Sequence, residues 1–416
     1  MNRGLILLLC TIFCNIALTS RSIEVDTISC VNWEADTIMF NGADWSPLFD
    51  RMYSLQDTTA HGERKVVSIV HLGDSHVQAG YFSEALRLPL QQQWGNAGRG
   101  LIAPLRLSKT NEPADYKITS PQSWQHKRCI IGKKFSNNVG VSGISITPIG
   151  RKVDITIETM SRYGEEIGFN TVRLFHTPSD RFPILMPTDT PIDLNTYSLQ
   201  PGETYYTWCD TTHIIHLQGN NNHSHEHATI YGASLENGKS GILLHAIGNN
   251  SATYECYNRV EEYGMKLSLL QPHLIIISMG TNESVSSHIT HEAMYRHIHT
   301  LVTDIRTHSP EALILLTTPA DNKLRKRYRK NGKRRTYYTE NKHLNTVTEA
   351  IKSYGAEHNI AVWDWYTIGG GKGACDTWVK EKGMRKDHIH YTEQGYALQG
   401  NLLYQSILKA YEEYIR

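Results

Sequence analysis

The feature that most constrains this chain is the run Val66-Val67-Ser68-Ile69-Val70-His71-Leu72-Gly73-Asp74-Ser75-His76. A β-branched apolar stretch ending in Gly-Asp-Ser reads as a buried strand that delivers a serine to the C-terminal edge of a sheet, where open α/β sheets hold their ligands. Two later segments end elements in the same way. Met279-Gly280-Thr281-Asn282-Glu283 follows the apolar strand Leu274 to Ser278, and Asp387-His388-Ile389-His390 precedes the last helix. A nucleophile, an Asn donor and an Asp–His pair make a hydrolase constellation.

Strands alternate with helical patterns on both sides of a differently textured middle. Before it come Val66 to Gly73 and a helix over Tyr81 to Trp94. After it come a strand over Gly241 to Ile247, a helix over Thr253 to Leu270, the strand Leu274 to Ser278 and a helix over His288 to Thr307. The strand Leu313 to Thr317, a helix over Leu344 to His358, the strand Ile360 to Trp363 and a final helix from Thr392 to Tyr414 complete the series. Such alternation argues a parallel, doubly wound sheet. From about Leu107 to Asn237 only strand-like runs appear, including Val139 to Thr147, Val153 to Glu158, Thr171 to Phe175, Thr212 to Leu217 and Ala228 to Ala233. Gly, Pro, Asn and Asp clusters separate them, as in a β-sandwich. The expected layout is a leader at 1–20, a first α/β part at 21–106, an inserted β-sandwich at 107–238 and a second α/β part at 239–416. Trp33, Trp45 and Phe49 are expected to anchor the first segment on the core. The glycines of Gly95 to Gly100 lack the order of a phosphate-binding fingerprint and are expected to form a turn close to the serine.

A serine hydroxyl is a poor nucleophile until a base takes its proton. Histidine titrates near neutrality and suits that task, and a carboxylate fixes its tautomer. Asp387 and His390, three apart, can fold so that one ring nitrogen meets the carboxylate and the other points at Ser75. Thr392 is the expected N-cap that holds this loop. His388 adjoins Asp387 and His76 adjoins Ser75; neighbouring side chains diverge, so neither is favoured as the base. A developing oxyanion needs preorganised donors. Asn282 offers a side-chain amide, the turn Gly248-Asn249-Asn250-Ser251-Ala252 offers backbone N–H groups, and Ser75 offers its own.

In these segments the chain resembles the SGNH (GDSL-type) hydrolases. Gly73-Asp74-Ser75 matches the first block, Gly280-Thr281-Asn282-Glu283 the third and Asp387 to His390 the last. The resemblance spans roughly 60–105 and 240–416 and is greatest to periplasmic peptidoglycan O-acetylesterases, which carry Gly-Asp-Ser-His and an inserted carbohydrate-binding-like β-sandwich. It implies a three-layer, flavodoxin-like α/β fold and serine-dependent deacetylation without a cofactor. By position Ser75 would be the nucleophile, His390 the base and Asp387 its orienter, with Ser251 and Asn282 in the oxyanion hole. Two departures stand out. The second block usually ends in glycine where this chain has Ser251, a problem if the backbone there is left-handed. The third usually has Asp after Asn, where this chain has Glu283.

The start Met1-Asn2-Arg3, the apolar run Leu5 to Leu18 and the small residues Thr19 and Ser20 read as a secretory signal, which places the mature chain in the periplasm or outside the cell. Cys14 lacks a convincing lipidation context. The five remaining cysteines, Cys30, Cys129, Cys209, Cys256 and Cys375, form no CxxC pair, so structural zinc is not expected. With a net charge of +1 no global field steers the chain to nucleic acid, and no later segment could remain in a membrane. Nine basic residues between Lys323 and Arg335 are either a mobile loop that attracts an acidic polymer or a solvated surface loop. His223, His225 and His227 would share a face on a strand, but their Asn-rich setting argues a loop, and no metal is expected. Trp363, Trp365, Tyr366 and Trp378 are core aromatics or sugar platforms. The reading is an exported serine esterase that deacetylates a carbohydrate polymer, peptidoglycan first. Plant or capsular polysaccharide deacetylation, polysaccharide O-acetyl transfer and glycan binding on a retired scaffold remain the alternatives.

Overall fold

A computed structural model describes residues 27–56, 64–130, 139–189, 191–286 and 288–416. The expected leader lies outside these residues. The chain first forms β1 (Ile38–Met39), α1 (Ser46–Leu55), β2 (Val66–Gly73), the single turn α2 (Ser75–Gln78), α3 (Tyr81–Trp94) and β3 (Gly100–Ile102). Ten short strands follow: β4 (Tyr116–Thr119), β5 (Trp124–Arg128), β6 (Ile144–Pro148), β7 (Lys152–Thr159), β8 (Phe169–His176), β9 (Met186–Pro187), β10 (Asn195–Tyr197), β11 (Glu203–Thr212), β12 (Ile214–Asn220) and β13 (Ile230–Glu236). The α/β texture then returns with β14 (Gly241–Gly248), α4 (Tyr254–Asn258), α5 (Tyr263–Ser268), β15 (Leu274–Ser278), α6 (Thr281–Ser284), α7 (His291–His308) and β16 (Leu313–Thr317). The chain closes with β17 (Lys323–Lys330), β18 (Lys333–Glu340), α8 (Leu344–Glu357), β19 (Ala361–Trp363), α9 (Trp365–Ile368), α10 (Ala374–Lys380) and α11 (Glu393–Ile415).

The main sheet runs β1-β19-β16-β15-β2-β14, with every pair parallel except β1 with β19. Counting its parallel strands in chain order gives 2-1-3-4-5, the flavodoxin-like order, whose switch point lies between β2 and β15. Along β2 every residue after Val66 is buried because both faces are covered. Val67 and Ile69 pack with Phe49, Leu86 and Leu402 on one side. Val70 and Leu72 pack with Tyr257, Ile298 and Ile351 on the other. This is the parallel, doubly wound sheet read from the alternating pattern, in the three-layer arrangement that the resemblance implies.

The middle strands form two antiparallel sheets, β10-β11-β8-β13-β6-β5 and β4-β7-β12-β9, and β3 also pairs with β13. Ile146, Val172 and Leu174 of the first share one core with Ile155, Ile157 and Leu217 of the second. The first sheet thus takes in residues 100–102, ahead of the border expected at 107.

Several local expectations differ from the structure. The helix expected over 253–270 is two short ones, α4 and α5, because Glu262 takes a left-handed backbone (φ +49°) between them. The basic run is a β-hairpin and not a loop: Asn331 (φ +50°) and Gly332 (φ +72°) make the two-residue left-handed turn that joins twisted strands. Trp33 is exposed, whereas Trp45 and Phe49 are buried as anchors. The Gly95 to Gly100 turn lies far from the serine, across the start of β14, where Asn96 bridges to Ile242. A side chain on Gly100 would collide with the Leu244 carbonyl, 2.2 Å away. Trp363, Trp365 and Trp378 are core residues, almost fully buried.

Candidate active site

β2 ends at Gly73, and Asp74 caps the following turn, accepting the His76 N–H on Oδ1 at 2.9 Å. This places Ser75 as the first residue of α2, at the C-terminal edge of the sheet beside its switch point. Ser75 Oγ lies 3.0 Å from His390 Nε2, and His390 Nδ1 lies 2.9 Å from Asp387 Oδ2. The other oxygen, Asp387 Oδ1, accepts the backbone N–H groups of Ile389 and His390, each at 3.0 Å. One carboxylate therefore holds both the ring and the backbone of His390, which is why Asp-x-x-His spacing suits the task. Thr392 Oγ1 accepts the Gly395 N–H at 3.2 Å and caps α11 directly after the loop. Burial pushes Asp387 up, but hydrogen bonds from the His390 ring and from the two backbone N–H groups outweigh it and hold the carboxyl well below its usual range.

The two competing histidines face elsewhere. His388 has a left-handed backbone (φ +62°) that turns its ring onto Tyr338, centroids 4.0 Å apart, and toward Cys375 Sγ at 3.6 Å. His76 is buried beneath the site, with Nδ1 3.1 Å from the Tyr396 hydroxyl. Burial pushes its pKa down to about 3, so it is neutral there.

Asn282 and Ser251 both border the cleft that contains Ser75 and His390. The Asn282 amide donates to Asp74 Oδ2 at 3.1 Å and to the Ala252 carbonyl at 2.9 Å. Both its hydrogens are engaged, so it would serve an oxyanion only by sharing one of them. Burial pushes Asp74 up to about 7. Ser251 has φ +68°, the left-handed conformation in which glycine is comfortable and serine strained. Neither the Ser251 nor the Ser75 N–H donates to an acceptor among the described residues. Glu283 is buried and accepts the Tyr254 N–H at 2.8 Å, at the start of α4.

Sequence reasoning did not single out the supports of this edge. Gln78 Oε1 accepts the Asn250 N–H at 2.6 Å, while its amide donates to Thr110 Oγ1 and the Asn111 carbonyl. Tyr257 donates to the Gly73 carbonyl at 2.7 Å and accepts from the Asn249 amide at 3.2 Å. Arg162, between β7 and β8, pairs with Glu84 and Glu393 and lies 4.8 Å over the ring of Tyr81 on the cleft wall. Burial pushes Glu84 up to about 7. No local motif marks any of the three; each acts through a partner far away in the chain.

A nucleophile, a base and an oriented carboxylate in hydrogen-bond contact at the edge of an open cleft are equipped for acyl transfer. Residues 209–398 match the model of the GDSL-like lipase/acylhydrolase family. The matched segment is a GDSL-like acylhydrolase domain, of a kind that acts on carboxylic ester bonds. The matched span holds Asn282, Asp387 and His390 but starts within β11, so the Ser75 block, on the far side of the inserted sheets, lies outside it. A solved peptidoglycan O-acetylesterase is similar in structure, with a TM-score of 0.72 at 20% identity over 90% of this chain and 99% of its own. At that identity the likeness is one of fold, and its extent means that it takes in the inserted sheets. A lipase/acylhydrolase from Enterococcus faecalis aligns over 41% of this chain and 77% of its own (TM-score 0.30, 19% identity). A carbohydrate esterase of family 3 from Talaromyces cellulolyticus aligns over 41% and 72% (0.31, 10%). No curated protein matches the chain.

Proposed function

We propose that the whole chain is an SGNH hydrolase, an exported serine esterase that removes O-acetyl groups from a carbohydrate polymer, peptidoglycan in particular, through an acetyl-enzyme on Ser75. The observation that carries the chemistry is the contact chain Ser75–His390–Asp387, at 3.0 and 2.9 Å, opening on a cleft of about 620 Å³. Ser75 Oγ attacks the acetyl carbonyl as His390 Nε2 takes its proton. The sugar hydroxyl leaves with that proton. Water then gives a proton to His390, attacks the acetyl group, and acetate departs with Ser75 restored. The N–H groups of Ser75 and Ser251 face the oxyanion, and Asp387 keeps the His390 ring in the productive tautomer. No step calls for a metal or an organic cofactor. The choice of peptidoglycan draws support from the architecture shared, insertion included, with a structure whose own substrate is peptidoglycan. Export rests on the leader-like residues 1–20.

The test is acetate release from O-acetylated peptidoglycan and from acetylated xylan by the mature chain and by Ser75→Ala. Release from peptidoglycan alone, lost in the variant, is the expected result. Release from xylan alone would overturn the substrate, and release by Ser75→Ala would overturn the mechanism.

A further inference from the structure

We propose that the β17–β18 hairpin is a docking arm for a carboxylate-bearing glycan polymer and delivers that polymer to the adjoining cleft. The inference rests on the peptidoglycan reading and adds the part of the chain that would recognise the polymer's charge. The chain carries a net charge of +1, yet nine of its 42 cationic side chains fall between Lys323 and Arg335. Most of both strands is exposed. Lys323 is neutralised by Asp376 at 2.6 Å. Among the described residues none of the other eight cations has a carboxylate within ion-pair reach. Arg329 faces Arg334 and Lys330 faces Lys333 directly across the hairpin, pairings that oppose its formation. A two-stranded ribbon that keeps such pairs in water is set up to receive charge from outside.

The geometry gives this charge a direction. Alternate residues of a strand share a face, as do cross-strand partners. Arg325, Arg327, Arg329 and Arg334 therefore line the face that also carries Tyr338, the cross-strand partner of Arg325. Tyr338 packs on the His388 ring, and the Lys323 N–H donates to the His388 carbonyl at 3.1 Å. His388 sits between Asp387 and His390. The arginine row starts at the loop that holds the base and runs outward in steps of about 7 Å. A polymer with regularly spaced carboxylates fits such a row, and a single small anion would not use it. Guanidinium groups pair with carboxylates in two-point contacts, which favours arginine for this task.

The experiment uses the full mature chain carrying Arg325→Gln, Arg327→Gln, Arg329→Gln and Arg334→Gln together. Hydrolysis of p-nitrophenyl acetate, small and uncharged, is expected to stay at the parent level, which also shows that the variant folds. On O-acetylated peptidoglycan the KM is expected to rise about tenfold or more with kcat unchanged. In parallel, pelleting of the Ser75→Ala chain with isolated sacculi should be salt-sensitive, should fall by a similar factor in the four-arginine variant, and should fall for sacculi whose carboxyls have been amidated. This pelleting does not need turnover, so the arm can stand or fall separately from the esterase reading. Unchanged KM and pelleting would overturn the proposal. So would a loss of binding confined to vesicles of anionic phospholipid, with sacculi still bound.

Discussion

The parallel sheet and the inserted antiparallel sheets contribute to the cleft in opposite ways. All three members of the Ser75–His390–Asp387 contact chain come from the α/β part, at or just beyond element ends: Ser75 opens α2 and His390 is held through the Thr392 cap of α11. The inserted segment supplies none of them: Asn111 and Glu112, ahead of β4, line the cleft, and Arg162 backs its wall by lying over Tyr81 and pairing with Glu84 and Glu393. A sheet buried on both faces fixes its strand ends closely enough for proton transfer between neighbours. An insertion can only lean on that frame and shape the approach to it. The comparison therefore expects substitutions at the sheet edge to remove chemistry, and substitutions in the insertion to change packing and access.

The largest effect should come from Asp387→Asn. It keeps the shape and gives the imidazole the wrong tautomer, and kcat for a small acetyl ester should fall by roughly 10³–10⁴ while the melting temperature changes little. A fall of less than tenfold would break the comparison at its centre. Next comes Glu283→Gln. Burial raises this carboxyl to about 7 in the folded chain, from an ordinary value of 4.5. Because the folded value stands above the unfolded one, the unfolded chain gives up its proton first as pH rises. Stability is then full below pH 4 and is lost progressively up to about pH 7, by as much as roughly 3 kcal/mol. The variant should therefore match the parent near pH 4 and out-stabilise it by a few degrees at pH 8 in thermal melts. Parallel melting curves at all pH values would contradict this.

Arg162→Ala probes the insertion directly. It leaves Glu84 buried without its partner, so about 2 kcal/mol of stability should be lost, with kcat for a small ester reduced less than tenfold. A loss of kcat comparable to that of Asp387→Asn would place chemistry in the insertion. The smallest effect belongs to Ser251→Gly. Releasing the strain of a left-handed serine gains at most about 1 kcal/mol, partly offset by the greater freedom of glycine when unfolded. Urea titration should show a slight stabilisation with activity kept, because the backbone N–H remains.

How far the sequence could be read also divides along this line. In the α/β part, Tyr81 to Trp94, Leu274 to Ser278 and Leu313 to Thr317 coincide with α3, β15 and β16. Continuous apolar runs and helical spacing leave little freedom where both faces are buried. Among the inserted strands, the run expected from Val139 begins as β6 only at Ile144, and of the ten residues of β11 only Thr212 falls within an expected strand. Glu203 to Thr212 is a Tyr-, Thr- and Trp-bearing strand with no aliphatic residue, so the apolar period that marks a strand is missing. Asn331-Gly332 is the turn signal of the hairpin at 323–340, but the dense charge of the flanking strands lacks the apolar alternation that marks a strand. At the site, the residues that carry chemistry stand in short motifs, whereas Gln78, Tyr257 and Arg162 act through partners that only folding brings near. The engagement of the Asn282 amide by Asp74 and Ala252 has no sequence signature either.

The most direct test of the account is intact-mass and peptide analysis after treatment with a fluorophosphonate, which reacts covalently with an activated serine. The account predicts one adduct per chain, on Ser75, abolished in Ser75→Ala and strongly slowed in His390→Ala. Failure of the folded parent chain to label, or labelling at another serine, would contradict it.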